Sequence, residues 1–301
     1  MEKREILREF LKHGIMLSPE EFEKINESNY KKILESYIKP SKKQEEENTE
    51  VSVKKTERKK KLSVIDVTKF YRKRYEILRD IILNKTQAIS INKVASLASE
   101  ICIVGVVKEI TEKGFIIEDL TGRVEVIAET GTIEIDDVIG VKGFCKDNKI
   151  FPKEIIFPDI PLINKPSLID IDILFNCQKR PADVIIGYDI EEGEKTAKLN
   201  RNVEWVNIKK DNDEITILVY KPKRYVDKNE AILYLRKRSL PFDLNEIDSI
   251  VIENVPQIFW IVSNNLNWKE NYKGVVIIST EKSSCAIYNL ATDKIIFENK
   301  N

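Results

Sequence analysis

Apolar positions change period twice along the chain, and each change marks a unit. In residues 1–39 they fall at helical spacing. Ile6, Leu7, Phe10 and Leu11 share one face, and Gly14 stops the run. Ser18-Pro19-Glu20-Glu21 then starts a second helix: Ser18 caps, Pro19 fits the first helical position, and Glu21 lies three residues past the cap. Phe22, Ile25, Tyr30, Ile33, Leu34, Tyr37 and Ile38 extend it as an apolar stripe until Pro40. The pattern predicts a small helical packing or docking module. Residues 40–62 lose all period. Charge dominates there, acidic at Glu45-Glu46-Glu47 and basic at Arg58-Lys59-Lys60-Lys61, with Val51 and Val53 as the apolar residues from Lys42 to Lys61. Such a stretch buries too little surface to offset its chain entropy, so it reads as a charged linker. A solvated tether outweighs a phosphate contact by its basic end. Residues 63–97 return to helical spacing, opening at Ser63 or Asp66, with Val67, Phe70, Tyr71, Tyr75, Leu78, Ile81 and Ile82 as the stripe. Arg72, Lys73, Arg74 and Arg79 interleave with it. A core-facing helix with a solvated basic face is favoured over a nucleic-acid stripe.

From residue 98 the period becomes that of strands. The runs are Ile101 to Val107, Phe115 to Glu118, Val124 to Ala128, Asp137 to Phe144, and a fifth beginning near Ile150. Lys113-Gly114, Asp119-Leu120-Thr121-Gly122 and Asp147-Asn148 supply the turns. Gly105, Gly140 and Gly143 suit bulges or corners. Five short strands with such bends predict a small closed barrel of the OB-fold type over residues 98–163. Residues 164–301 mix strands and one helix. Val184-Ile185-Ile186-Gly187 is a buried strand, Trp205–Ile208 and Ile215–Val219 flank an Asp211-Asn212-Asp213 turn, and Asn229–Arg238 is a helix. Ile250-Val251-Ile252, Ile258–Val262, Val275–Ile278 and Ile295-Ile296-Phe297 are further short apolar runs. The fold class is α+β and multidomain, without an internal repeat.

Composition narrows the chemistry. The chain has 301 residues, 50 Lys+Arg against 50 Asp+Glu, and a single histidine, His13, read as a surface residue beside Gly14. Net charge of zero gives no global field toward nucleic acid, so such a contact needs a local patch. One histidine excludes a His-rich binuclear metal centre, a Ser-His-Asp triad deep in the chain and a two-His zinc site. Cys102, Cys145, Cys177 and Cys285 are far apart in sequence and form no C-x-x-C pair, which reads as reduced core thiols. No apolar run approaches the roughly 18 residues of a membrane helix, and Met1-Glu2-Lys3-Arg4-Glu5 is unlike a signal peptide. A cytoplasmic protein without membrane contact is expected.

The barrel segment resembles the OB domain of the small (B-type) subunit of archaeal D-family DNA polymerase. The matching runs are Ile103-Val104-Gly105-Val106-Val107, Gly114 to Gly122 and Asp136 to Gly143. The most specific is the exit, Ile155-Ile156-Phe157-Pro158-Asp159-Ile160-Pro161. Asp66 to Tyr75 is similar to the stretch before that barrel. The resemblance implies that residues 164–301 form a calcineurin-like metallophosphoesterase α/β sandwich, which in the family holds two metals for 3′–5′ exonuclease chemistry. Here the resemblance implies erosion. Asp172 stands at the family's first Asp, but Leu174 replaces the His of that motif. Asp189 follows an inserted Tyr188, Lys221 takes one His position and Ser239 another, and Val262-Ser263-Asn264-Asn265 replaces the G-H-x-H loop. The vestigial positions are therefore Asp172, Leu174, Asp189, Lys221, Ser263 and Asn265, with no catalytic or metal residue and no cofactor expected. Leu offers no lone pair, Lys brings positive charge, and Ser and Asn are weak ligands for Mn, Fe or Zn. An oxygen-only site for one Mg²⁺ stays open.

Three functions follow. The leading one is a non-catalytic scaffold or accessory subunit in DNA replication or repair, with the large catalytic subunit of a D-family polymerase as its partner. The second is an autonomous single-stranded DNA or RNA binder using Phe115, Phe144 and Phe151 with Lys108, Lys142, Lys146 and Lys149, at least some of those rings being core. Neighbouring acids such as Glu109, Glu118 and Glu125 weaken its electrostatics. The third, an active exonuclease, is disfavoured by the single histidine.

Overall fold

A computed structural model describes residues 49–54, 63–96, 100–163, 169–177, 182–241, 250–263 and 266–300, together with Ile6, Phe22, Ile25, Tyr30 and Ile33. The chain divides into two units, Met1–Asn48 and Thr49–Asn301. In the first, Ile6 and Ile25 are buried and Tyr30 and Ile33 pack against them. Ile25 is not helical although Phe22 and Tyr30 are, so the stripe expected as one helix is interrupted there. The remaining expectations for residues 1–39, His13 among them, lie outside the described residues.

In the second unit, residues 49–53 fall within the expected linker but form strand β1 (Thr49–Val53). The alternation of β-branched Thr49, Val51 and Val53 is enough for an edge strand, which must bury only one face. Val51 and Val53 pack on the apolar core below. Helix α1 spans Val64–Leu83 and opens on a capping box. Asp66 N–H donates to Ser63 Oγ at 3.2 Å, and Ser63 N–H donates to Asp66 Oδ2 at 3.0 Å. The helix stops at the Asn84 cap rather than continuing to 97, and residues 91–96 form a 3-10 turn. Its inward face carries Arg74, Leu78 and Ile82. Arg74 is thus buried, not part of a solvated basic face. Its Nε donates to Ser239 Oγ at 3.3 Å and its Nη1 to the Asp136 carbonyl at 2.8 Å. Burial pulls the guanidinium below its usual range, while Asp137 and Asp136 hold it up.

Strands β2 (Glu100–Thr111), β3 (Gly114–Glu118), β4 (Arg123–Ile127), β5 (Val138–Lys146) and β6 (Lys149–Ile156) form a closed barrel in the order β2-β3-β4-β6-β5. All neighbours are antiparallel except β4 and β6, which run parallel. The interior is filled by Ile103, Val107, Phe115, Ile117, Val126, Ile139, Val141 and Ile150. Two glycines permit the closure. Gly143 sits where the β5–β6 register shifts, and a Cβ there would strike the Phe151 carbonyl. Gly140 lets Ile82 of α1 lie directly on the barrel wall. The Asp119–Gly122 turn is organised by one carboxylate, which accepts from Thr121 N–H (2.7 Å), Thr121 Oγ1 (2.7 Å), Gly122 N–H (3.0 Å) and Ile91 N–H (3.0 Å). Burial pushes Asp119 upward, but these hydrogen bonds outweigh it and hold the carboxyl below its usual range.

Two sheets face each other beyond the barrel. Strands β7 (Asp172–Phe175), β8 (Val184–Gly187) and β9 (Thr196–Lys198) are parallel neighbours. With β15 (Ser284–Asn289) and β16 (Lys294–Asn299) they form a five-stranded sheet, order β16-β15-β7-β8-β9. The other sheet has six strands, order β1-β10-β11-β12-β14-β13, adding β10 (Val203–Lys210), β11 (Asp213–Tyr220), β12 (Ile258–Ser263), β13 (Trp268–Tyr272) and β14 (Val275–Glu281). The core between them includes Ile173, Phe175, Ile186, Ile217, Ile258, Ile278 and Tyr288, with the Trp260 ring tilted against Phe175 at 4.8 Å between centroids. The outer face of the six-stranded sheet is covered by helix α2 (Lys228–Lys237) through Ala231, Tyr234 and Leu235. That double cover explains why β12 is buried at every position. The Ile250–Ile252 run makes only an isolated bridge, Val251 to Ser239. Strands β9, β13 and β15 carry polar residues and were not evident as apolar runs.

Barrel and sandwich meet at Asp159. It takes a left-handed backbone (φ 40°), and its N–H donates to the Arg236 carbonyl at 2.7 Å. Its carbonyl accepts from Arg238 Nε and Lys85 Nζ, each at 3.2 Å. Its carboxylate accepts from Tyr272 Oη at 3.0 Å and pairs with Lys273. Burial and then the bond to Asp159 push the Tyr272 phenol up to about 12. A second tie joins buried Lys237 of α2 to Asp137 (2.8 Å) and Glu134 (2.6 Å) on the barrel.

Two outcomes are expected. Asp159→Ala lowers unfolding free energy by about 3 kcal/mol in urea titration, because charged and buried donors lose one shared acceptor. Asp119→Ala costs about 2 kcal/mol at pH 7. Since the folded carboxyl titrates below the unfolded one, that difference persists down to about pH 4 and shrinks as the pH falls further, as titrations at descending pH will show.

Candidate functional site

Parallel strands leave their carboxyl ends at one edge, where α/β sheets commonly bind ligands. Here β7 and β8 of one sheet and β11, β12 and β14 of the other supply such ends. The residues that follow are Asn176 and Cys177 after β7, Tyr188 and Asp189 after β8, Lys221 after β11, and Ser263 closing β12.

The vestigial positions divide. Asp172 opens β7, at its amino end, level with Asp183 rather than with Asp189. Its carboxylate accepts from Asn289 Nδ2 at 2.9 Å, and its N–H donates to Asp183 Oδ2 at 2.8 Å. Leu174 is buried in mid-strand. Neither stands at the carboxyl edge; the β7 residue that does is Asn176. The signal was the strand itself, since Asp172-Ile173-Leu174-Phe175 must run its length before the chain can turn. Asn176 is buried, left-handed (φ 63°), and spends its amide on the carbonyls of Lys282 (3.2 Å) and Ser284 (3.4 Å). Asp189 is exposed. Asn265 lies outside the described residues. Ser263 is 1% exposed and its Oγ has no hydrogen-bond partner.

Tyr188 and Lys221 do come together. Lys221 Nζ sits 4.0 Å from the Tyr188 ring centroid, and Tyr188 Oη donates to the Arg201 carbonyl at 2.8 Å. The pair thus bridges the two sheets at their shared edge. An ammonium over a ring repels a divalent cation, and the nearby amide is already engaged. Among the described residues no three His, Cys, Asp or Glu side chains converge. The described residues at this edge do not fit a binuclear metal centre.

The nucleic-acid candidates divide as well. Phe115 is 0% exposed in the barrel interior and offers no stacking face. Phe144 and Phe151 are direct cross-strand partners on β5 and β6, 43% and 45% exposed. Lys153, absent from the sequence expectation, lies with Nζ 4.4 Å from the Phe144 centroid and 3.5 Å from Glu100. Lys146 opposes Lys149 near the turn, and Lys149 pairs with Glu125 at 2.7 Å. Lys142 opposes Cys102 and Glu154, and Lys108 is on β2, where the β2–β3 register shifts. The hairpin therefore gathers two rings and several lysines, with carboxylates beside Lys142, Lys149 and Lys153.

A cavity of about 250 Å³ between α1, the barrel and α2 is lined by Phe70, Tyr71, Arg74, Asp137, Tyr234 and Lys237. Its cations face carboxylates already in place, so it belongs to the barrel–sandwich joint.

These features define a class: a closed five-stranded barrel fused to a two-sheet sandwich whose carboxyl edge lacks a ligand cluster among the described residues. No family model matches the chain. It is 29% identical to the DNA polymerase II small subunit of Archaeoglobus fulgidus over 110 residues, 33% of this chain and 22% of that protein. It is 27% identical to the DNA polymerase II small subunit of Thermoplasma acidophilum over 240 residues, 69% of this chain and 47% of that protein. The chain is a distant relative of these archaeal small subunits and spans less than half the length of either.

The Tyr188–Lys221 contact is expected to be stabilising. A double-mutant cycle of Tyr188→Leu and Lys221→Met, read by urea denaturation, should give a coupling of about 1 kcal/mol.

Proposed function

We propose that the chain is a non-catalytic accessory or scaffold subunit of a DNA polymerase. The observation that carries this is the Tyr188–Lys221 pair at the carboxyl edge, beside Asn176 and Ser263, in a sandwich whose core is fully packed. The scaffold is kept while the edge holds a cation where a metal site needs anionic or neutral donors. Two features support the finer fold reading. The strand order β2-β3-β4-β6-β5, with its one parallel pair, suits an OB-fold. The facing sheets, with parallel strands in each, suit a phosphoesterase-like sandwich. The partner is the large catalytic subunit of a D-family polymerase, consistent with the names of the two relatives.

Size-exclusion of the full chain with that large subunit at micromolar concentration tests the assignment: co-elution supports it, and separate elution counts against it. Incubation with labelled single-stranded DNA and Mn²⁺ should leave the DNA intact. Metal-dependent 3′–5′ shortening that Asp189→Ala abolishes would overturn the non-catalytic reading.

The exposed Phe144–Phe151 pair favours a second reading, stacking of single-stranded bases on the β5–β6 hairpin. Each ring would then contribute about 1–3 kcal/mol. Fluorescence anisotropy should show affinity falling with salt and weakened about tenfold or more by Phe144→Ala; insensitivity to both rejects it.

A further inference from the structure

Four cysteines scattered in sequence do not remain scattered in space. Strands β7 and β15 pair antiparallel with Phe175 opposite Ala286. Continuing that register puts Asn176 opposite Cys285, and Cys177 follows at once. The Asn176 amide holds the chain against β15 through the Lys282 and Ser284 carbonyls. The Cys177 and Cys285 thiols lie within hydrogen-bonding reach of each other. Cys177 is therefore diagonal to Cys285, one residue beyond its direct partner; a strand spacing of about 5 Å and a rise of about 3.3 Å put the two Cα atoms about 6 Å apart, inside the range a disulfide spans. The other two thiols have no such arrangement. Cys102 opposes Lys142 on the barrel, and Cys145 opposes Ile150 three residues farther along β5, about 10 Å away by strand rise. No disulfide joins any of the four cysteines in this structure.

We propose that Cys177 and Cys285 form a thiol-oxidation site that closes to an intramolecular disulfide in the presence of a small-molecule disulfide such as oxidised glutathione. The site stands at the carboxyl end of β7, on the edge that the eroded donors occupy, and does not depend on the polymerase reading. Exposure sets the order of events. Cys177 is half-buried and accessible, whereas Cys285 is 4% exposed. The Cys177 thiolate attacks one sulfur of the oxidant, forming a mixed disulfide and expelling one glutathione thiolate. The Cys285 sulfur then attacks Cys177 Sγ, losing its proton to solvent and expelling the second glutathione. Two protein thiols are oxidised and one oxidant disulfide is reduced to two thiols. The new bond closes a loop of roughly a hundred residues, which constrains the unfolded chain strongly.

Treating the full chain with oxidised glutathione and measuring intact mass without reductant tests this. The expected result is loss of the mass of two hydrogen atoms and a cross-linked peptide pair containing Cys177 and Cys285. The thermal midpoint should rise by about 10 °C and return with dithiothreitol. Cys177→Ser should remove both effects, and Cys145→Ser neither. A persistent glutathione adduct on Cys177 with Cys285 still free overturns the proposal, as does a cross-link through Cys102 or Cys145, or an unchanged mass.

Discussion

A single acidic residue at the barrel exit governs how the two β structures of residues 49–301 are assembled. Asp159 offers a carbonyl, a carboxylate and an amide to three separate elements: the turn after α1, the end of α2, and the end of β13 with its Tyr272 and the following Lys273. Its left-handed backbone turns the chain sharply between the prolines at 158 and 161, so that each group faces a different neighbour. A non-glycine residue pays for that conformation only where surrounding bonds over-determine it. Lys237 and Arg74 reinforce the joint from the other side of α2 and from α1. The seam is therefore charged and specific rather than a plain apolar contact.

With the joint fixed, the shape of the sandwich does not rest on the side chains at its carboxyl edge. Its interior is set by Trp260, Phe175 and the aliphatic rows of both sheets, none of which is a donor to a metal. The carboxyl edge is a separate matter. There the inter-sheet contact is a lysine over a tyrosine, and the amide of Asn176 ties backbone to backbone. Contacts of this kind tie the two sheets together at that edge.

Much of this was legible in the chain. Period-two runs from Ile101 onward and the turn residues between them gave the barrel, because a small barrel must alternate inward and outward. Ser63 with Asp66 gave the start of α1, and Asp211 the hairpin turn. The Pro158-Asp159-Ile160-Pro161 exit stood out before its bonds were known. What escaped had physical causes. Strand β1 is a five-residue edge inside a charged stretch, where composition hides the alternation. Strand β13 carries Lys269, Glu270 and Asn271, and β15 opens and closes on the polar Ser284 and Asn289. Arg74 sits one turn before Leu78 on a buried face, and its side-chain and backbone partners lie far away in sequence. Asp172 was placed with Asp189 by similarity of sequence, but strand length separates them. Phe115 and Phe144 look alike in the chain, yet one fills the barrel and the other covers its outside. The nearness of Cys177 to Cys285 depends on the β7–β15 register, which no local spacing encodes.

The proposed non-catalytic role rests on the edge between the two sheets, where a lysine lies over a tyrosine ring. Anomalous diffraction from crystals soaked in manganese addresses it directly. The account predicts no manganese peaks beside Lys221, Tyr188 and Asn176. Two strong peaks bridged by side chains at that edge would contradict it.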